Sequence, residues 1–411
     1  MLTPREAART VLSDLHPLAP ERVSLSSALG RLLAADVVSP IDLPPWNNTA
    51  MDGYAARGAD LQSPGVELRV LEVVHAGRFP SKPVGPGECT RIFTGAPMPE
   101  GADGVVRQED TTALGETRVR IDKVRDAGKN VRHRGEDLRK DSVVLGRGTP
   151  LEPAELGVLA SIAEREIAVY RRPRVAFMGS GDEIAELDER EAILAGKKIA
   201  SSNSYTLDAM IRRAGAEPLN LGIARDDPAD VRQKLSGASS ADLLVTSAGV
   251  SVGEHDHLRA VFEEMGGTVT FWRIRMRPGA PVGFGKLGGV PWIGLPGNPV
   301  STMVTFELFV RPAIRRMLGY TGLFRRTVPV RVEEPIRLGP PLKHFLRAVV
   351  TERDGERTAR LTGPQGSGIL TSMVLANALL IVPEDQRTVE AGVRLEAIML
   401  EEPMHVEEPP Y

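Results

Sequence analysis

Four stretches of the chain concentrate the residue types that hold anions and hard cations. Gly179-Ser180-Gly181-Asp182-Glu183 follows a short apolar run, Arg174 to Met178. Glycines let successive backbone N–H groups converge on an anion. Two adjacent carboxylates suit Mg²⁺ beside a phosphate. A plain strand-to-helix turn with exposed acids is the alternative. Gly294-Leu295-Pro296-Gly297-Asn298-Pro299 closes one strand and opens a helix, with Asn298 at the cap, Pro299 in the first turn, and Ser301 and Thr302 beside the free N–H groups. That is a phosphate-type helix start or simple capping. Ser247-Ala248-Gly249-Val250-Ser251-Val252-Gly253-Glu254 puts small residues at a strand's carboxyl end, where a ligand can lie against backbone. In the His255-Asp256-His257 stretch that follows, two imidazoles two residues apart do not share a helix face, so a histidine metal site is disfavoured. Asp256 is the better candidate, as a Mg²⁺ ligand or a partner for substrate N–H groups. Arg273, Arg275 and Arg277 alternate, so on one strand their guanidinium groups share a face suited to an oxyanion, or line a solvated edge.

Two further segments are unusually polar and small for their surroundings, Trp46 to Ala55 and Thr94 to Asp103. Arg118 to Lys140 mixes cations with acids and valines and reads as a solvated β surface, with Arg134-Gly135-Glu136-Asp137 its one site-like end.

The elements that must position these groups follow from periodicity. Thr3 caps a helix with Pro4 and Glu6 in its first turn, and Ser26 to Ala35 reads as a second short helix. From Asp36 to Asp141 short β-branched runs sit between Gly/Pro turns, which predicts a β-rich module. Glu152 to Ala163 returns to helical spacing. Strands at Arg174–Met178, Glu217–Ile223, Asp242–Ser247, Thr268–Ile274 and Pro291–Leu295 then alternate with helices at Asn203–Ala214, Pro228–Leu235, His257–Met265 and Pro299–Met317. This alternation predicts a mainly parallel α/β sheet covered on both faces, with functional loops at the carboxyl ends of its strands. After Phe324 the pattern is β again, with a hairpin signal at Asp354-Gly355, and reads as a small carboxyl-terminal barrel. The expected fold class is therefore α/β plus β, multidomain. The expected divisions are 1–20 with 172–322, 21–45 with 142–171, 46–141, and 323–411.

Composition narrows the function. Apolar residues make up 42% and charged residues 26% of 411 residues, an ordinary globular mixture. A net charge of −3 leaves no basic excess for a nucleic-acid backbone, and 4% aromatics leave few stacking platforms for single strands. A single cysteine, Cys89, excludes an intrachain disulfide and cysteine-cluster metal sites and fits a cytoplasmic setting. No apolar run reaches the roughly 18 residues of a spanning helix, and no signal peptide is visible.

Together the segments resemble the molybdopterin molybdenumtransferase family, which includes bacterial MoeA and the gephyrin E domain. The matching signatures are Asn48-Thr49-Ala50-Met51-Asp52-Gly53-Tyr54-Ala55, Thr94-Gly95-Ala96-Pro97 with Gly101-Ala102-Asp103, Arg134-Gly135-Glu136-Asp137, Gly181-Asp182-Glu183, Gly249-Val250-Ser251-Val252-Gly253, Pro296-Gly297-Asn298-Pro299 and Gln365-Gly366-Ser367. They run in the family's order over essentially the whole chain.

The resemblance implies Mg²⁺-dependent insertion of molybdate into adenylylated molybdopterin, with molybdenum cofactor and AMP as products. It implies a homodimer and transient contact with the adenylyltransferase that supplies the substrate and with apo-molybdoenzymes that take the product. It places Asp182, Glu183, Asp227 and Asp256 in the α/β pocket, with Glu183, Asp227 and Asp256 toward the metal, and leaves Asp226 open as the alternative to Asp227. Asp52, Thr94 and Asp137 are implied to come from the partner's β-rich domain. Ser180, Ser247, Gly249, Ser251, Pro296, Gly297, Asn298 and Ser301 are implied to bind substrate, and Arg273, Arg277, Arg347 and Ser367 to hold molybdate. Arginine at 273 and 277 replaces the family's usual lysine, Asn47 its common aspartate, and Ala248 its common glycine. The competing readings are a dimeric peptide-binding scaffold of the gephyrin E-domain type and a molybdopterin adenylyltransferase.

Overall fold

The structure is a computed structural model that describes residues 1–249 and 257–401. The chain forms two compact units, Met1–Glu21 with Tyr170–Tyr411, and Arg22–Val169.

The first unit opens with helix Pro4–Ser13. Its capping box forms as the sequence requires: the Glu6 amide donates to Thr3 Oγ1 at 3.2 Å and the Thr3 amide donates to Glu6 Oε2 at 2.8 Å. A six-stranded sheet follows, with strands in the order Glu217–Ala224, Arg174–Ser180, Leu243–Ser247, Val290–Leu295, Gly283–Leu287, Thr268–Phe271. The first four are parallel, and Gly283–Leu287 runs antiparallel to both its neighbours, Val290–Leu295 and Thr268–Phe271. Alternate residues explain why both faces are buried. Val175, Phe177, Leu243, Val245, Ile293 and Leu295 belong to one core, whereas Ala176, Met178, Leu244 and Trp292 belong to the other. Helices Ser202–Arg213 and Pro299–Thr305 feed the first core, and Pro228–Ser236 and His257–Glu264 the second.

Three expectations change here. The helix expected over Pro299–Met317 is two α segments, Pro299–Thr305 and Arg311–Met317, joined by a π turn over Phe306–Val310. The wide turn lies just ahead of Pro312, which has no N–H to give one turn back. The strand expected over Thr268–Ile274 ends at Phe271 after a register shift. Beyond it the chain leaves the sheet: Ile274 bridges to Leu2, and Met276–Arg277 pairs with Lys343–His344. The three arginines therefore do not share a strand face. Finally, strand Gly283–Leu287, not expected from periodicity, turns back through Gly288-Gly289 at φ +56° and +88°.

The carboxyl-terminal part of this unit closes a five-stranded barrel from Thr327–Val332, Lys343–Arg353, Glu356–Leu361, Ala378–Val382 and Arg394–Met399. Asp354 and Gly355, both at positive φ, make its tight hairpin.

The second unit carries a six-stranded sheet ordered Gly104–Arg107, Gly53–Ala56, Glu88–Ile92, Val66–Val74, Arg118–Ile121, Thr111–Ala113. The helix expected over Ser26–Ala35 is only a single 3₁₀ turn, Leu25–Ser27. Gly30 at φ +71° breaks it, and Leu32 and Leu33 then bridge to Pro150 and Val169. Cys89 is wholly buried in this sheet, and burial pushes its thiol up to about 12. Since the thiolate is the reactive form, an aromatic disulfide reagent is expected to leave Cys89 unmodified in the native protein and to titrate one thiol after denaturation. Rapid native labelling would show that the sheet opens. Among the described residues, no helix is long and apolar enough to cross a membrane.

Candidate functional site

A cleft of about 730 Å³ opens at the carboxyl ends of the parallel strands. Ser180, Glu183, Asn203, Ser247, Gly249, Pro296, Gly297 and Asn298 lie on its wall, as do Gly368 and Leu370 from the loop that leads to the last barrel strands. Ser247 ends the fully buried strand Leu243–Ser247. Its Oγ and the Gly297 carbonyl both accept from Asn203 Nδ2 at 2.7 Å. Asn203, early in helix Ser202–Arg213, thus ties two loops together. Its Oδ1 is buried without a partner. No motif pointed to Asn203. The only signal was the polar run Ser201 to Ser204 at a helix start.

Asn298 occupies the cap position of helix Pro299–Thr305, but its side chain makes no capping bond. It donates instead to Ser367 Oγ at 3.0 Å, and the Ser367 carbonyl accepts the Val300 amide at 3.1 Å. The helix start is therefore held by the barrel loop. Ser301 is buried behind it, 4% exposed. Ala248 sits at φ +78°, and a Cβ added at Gly297 would approach its Cβ to 3.2 Å. Left-handed backbone costs a non-glycine residue roughly 1 kcal/mol, so glycine would be the less strained residue at 248.

The acids sort into distinct jobs. Gly181 holds φ +129°, and the Glu183 carboxylate folds back over it so closely that an added Cβ would meet Oε2 at 2.6 Å. Gly181→Ala is therefore expected to displace Glu183 and lower activity by roughly tenfold or more. The measurement is turnover beside the melting temperature, and unchanged turnover would show that the pose is not needed. Asp182 and Asp226 face each other from neighbouring strand ends. The Asp226 amide donates to Asp182 Oδ1 at 3.2 Å, and the Asp182 amide to Asp226 Oδ2 at 3.4 Å. Lys198 Nζ donates to the Asp182 carbonyl. Asp227 caps helix Pro228–Ser236, accepting the Asp230 amide at 3.0 Å. Asp256 and Ser251 lie outside the described residues.

The expected cations separate. Arg273 is exposed, and Arg275 approaches Glu384 at 3.7 Å. Arg277 lines a second pocket of about 390 Å³ beside the barrel, together with Arg337, His344, Arg347 and Gly366. Arg347 is fully buried. Its Nε donates to Ser372 Oγ at 3.0 Å and Nη2 to the Gly366 carbonyl at 2.8 Å, while Nη1 has no partner. Burial lowers its guanidinium from the usual value. An unpaired buried cation is costly, and an oxyanion would satisfy it. Gly366 adjoins Ser367, so one loop links Arg347 to the cleft.

In the second unit, Asp52 accepts the Thr94 amide and the Thr94 hydroxyl, both at 2.7 Å. Those two bonds, then Arg91, hold its carboxyl below the usual range. Arg91 lies over Tyr54 at 4.9 Å and Phe93 at 4.7 Å and donates to the Gly53 carbonyl at 2.9 Å, fixing the loop that carries Asp52. Arg134 donates through its amide to Asn47 Oδ1 at 2.8 Å and through Nε to Asp42 at 2.6 Å. Asp137 is exposed nearby, its amide bonded to the Leu43 carbonyl at 3.0 Å.

Among the described residues no three His, Cys, Asp or Glu side chains form a ready metal cage. Asp182, Asp226 and Glu183 supply hard oxygen donors at one strand-end edge. This suits Mg²⁺, which uses one or two carboxylates plus phosphate and keeps several waters.

Comparison with known proteins spans the chain. Residues 2–163 match the family model "MoeA N-terminal region (domain I and II)", residues 176–316 the "Probable molybdopterin binding domain", and residues 329–400 the "MoeA C-terminal region (domain IV)". A protein of Haemophilus influenzae named molybdopterin molybdenumtransferase is 34% identical over 406 residues, covering 95% of this chain and 97% of its own length. Molybdopterin molybdenumtransferase 2 of Mycobacterium tuberculosis is 36% identical over 407 residues, covering 96% and 99%. The crystal structure of a molybdopterin biosynthesis moeA protein from Pyrococcus horikoshii superposes with a TM-score of 0.81 at 29% identity, covering 97% of this chain and 100% of that one.

Proposed function

This chain belongs to the molybdopterin molybdenumtransferase family, and we propose that it inserts molybdate into adenylylated molybdopterin with release of AMP. The observation that carries the reading is Arg347, a fully buried guanidinium on strand Lys343–Arg353 with a free Nη1, whose Nη2 bonds the Gly366-Ser367 loop that also bonds the rim of the phosphate-type cleft. A tetrahedral dianion is the ligand such a group lacks.

The cleft would hold the adenylylated substrate. Ser180, Gly249 and the Gly297–Pro299 turn offer hydroxyl and close backbone approach for its phosphates. Asn203 keeps the Ser247 and Gly297 loops at a fixed spacing. Arg347, with Ser367 beside it, would hold molybdate near the dithiolene sulfurs, so that exchange becomes effectively intramolecular. Asp182 and Asp226, with Glu183 beside them, would offer one or two carboxylates to Mg²⁺ and leave its other positions to phosphate and water, with Asp226 in place of Asp227 because the Asp227 carboxylate caps helix Pro228–Ser236. When bound, Mg²⁺ polarises the phosphoanhydride and stabilises charge on departing AMP. No protein nucleophile is required, and Cys89 takes no part.

The same reading makes the protein a homodimer in which the β-rich unit of one subunit brings Asp52, Thr94 and Asp137 to the cleft of the other. The Asp52–Thr94 bonds would then present a fixed hydroxyl and carboxylate edge. Its setting would be the cytoplasm, next to the adenylyltransferase and the apo-molybdoenzymes.

The test is incubation of pure protein with adenylylated molybdopterin, Mg²⁺ and molybdate. AMP and reconstitution of a cofactor-free molybdoenzyme are both expected. Absence of both under conditions where a relative works would end the proposal. AMP formation from ATP and free molybdopterin would instead favour the adenylyltransferase reading.

A further inference from the structure

His344 is 3% exposed, yet it lines the 390 Å³ pocket that also takes Arg277, Arg337, Arg347 and Gly366. Its placement follows from register. Strand Met276–Arg277 runs parallel to Lys343–Arg353 with Arg277 opposite His344, so the two side chains rise as neighbours from one face. The ring Nε2 lies 3.2 Å from the Pro340 carbonyl. A carbonyl only accepts, so Nε2 carries the hydrogen and Nδ1 is the basic nitrogen.

The charges around the ring have one sign. Arg277 faces it from the neighbouring strand and Arg337 from the Pro335–Gly339 stretch, whereas Lys343 and Arg347, at odd offsets along its own strand, project from the opposite face. Among the described residues lining the pocket there is no carboxylate. Glu384, the acid nearest Arg275, is held at 3.7 Å by that arginine. Burial first, and then the Arg277 charge, lower the imidazole pKa, partly opposed by the Pro340 bond. With the pocket empty the ring is therefore neutral near pH 7. A dianion among these guanidinium groups reverses the sign of the local field and favours the imidazolium.

We propose that His344 couples oxyanion capture in this pocket to the uptake of one proton, which passes from solvent to Nδ1 as the anion enters. The inference rests on the reading that molybdate binds in this pocket beside Arg277. His344 is a positioning and tuning residue in it. It is neutral when the pocket is vacant, so the pocket does not repel its own cations, and charged when a dianion supplies compensation.

The sign follows from linkage. A group that gains a proton on binding makes binding tighter as pH falls, by at most tenfold per pH unit for one proton. The experiment is calorimetric titration of the full chain with sodium molybdate alone, in two non-phosphate buffers of different ionisation enthalpy, between about pH 6 and 8. For the wild type, uptake approaching one proton is expected, with affinity falling several-fold per unit rise in pH. His344→Asn is expected to bind molybdate with no proton uptake and a flat pH profile. Binding by the wild type without uptake overturns the proposal and leaves the oxyanion site standing, and so does uptake retained in His344→Asn. No binding of molybdate to the wild type at any of these pH values overturns the site and the proposal together. Should His344→Asn not fold, NMR titration of the wild-type histidines decides the matter: one imidazole must rise in pKa when molybdate is added, and none rising overturns the proposal.

Discussion

Replacing Arg347 with methionine is expected to cut molybdate-dependent cofactor formation by roughly 10²- to 10³-fold while leaving the melting temperature unchanged or slightly raised. The two halves have one cause. Arg347 is wholly buried, two of its nitrogens are bonded, and Nη1 is not. In the vacant protein the desolvated charge is destabilising, and the two hydrogen bonds offset that only in part. Methionine fills similar volume without charge and loses bonds worth about 1–3 kcal/mol, against a desolvation penalty of comparable size. With an oxyanion bound the balance reverses, because Nη1 gains a charge-assisted partner. Molybdate should therefore raise the melting temperature of the wild type, by mass action on the folded state, and should not move that of Arg347→Met. Arg347→Lys is expected to fall between the two, since one ammonium cannot span Ser372 and the Gly366 carbonyl with the reach of a planar fork. A variant that melts far below the wild type would make Arg347 a structural residue. One that keeps turnover would remove the oxyanion from this site.

Much of this architecture was readable because it follows from local pattern. The parallel strands show as continuous apolar runs ending in glycine and serine, and Val175 to Met178 divide between the two cores by simple alternation. The Thr3–Glu6 capping box and the Asp354-Gly355 hairpin are written in a few consecutive residues. What was not readable depends on distant partners. Gly288-Gly289 carried a hairpin signal, but the strand before it is Gly-rich and lacks the alternation that would have announced it. Arg273, Arg275 and Arg277 satisfy the alternation rule, yet the chain leaves the α/β sheet at Phe271 and joins the barrel at Met276, a choice made by strand Lys343–Arg353 nearly 70 positions later. Asn298 had the right type and place for a cap, and Ser367, far along the chain, took its side chain instead. Asn203 and His344 carried no motif at all. Their meaning comes from an unpartnered amide oxygen and from a pocket wall, both properties of assembled structure.

The one-residue ambiguity between Asp226 and Asp227 is of the same kind, and the structure turns it into an experiment. Asp226 exchanges backbone-to-carboxylate bonds with Asp182 at the strand ends. Asp227 accepts the Asp230 amide and begins helix Pro228–Ser236, with Pro228 in its first turn. Asp226→Asn is expected to slow AMP release by roughly 10²-fold and to raise the Mg²⁺ concentration needed for half-maximal rate, because it removes a hard anionic donor and keeps the shape. Its melting temperature should match that of the wild type. Asp227→Asn should be nearly silent, since asparagine caps a helix about as well as aspartate. Asp227→Ala should cost about 1 kcal/mol of stability through the lost cap and change AMP release only a few-fold. The measurements are a Mg²⁺ titration of AMP release and thermal melts of all three variants. If Asp227→Asn shows the Mg²⁺ defect while Asp226→Asn does not, the cap position is the ligand, and the helix start must open when substrate binds. The contrast holds because asparagine preserves size and hydrogen-bonding at both positions. Charge is then the quantity that differs, and charge is what a divalent cation reads.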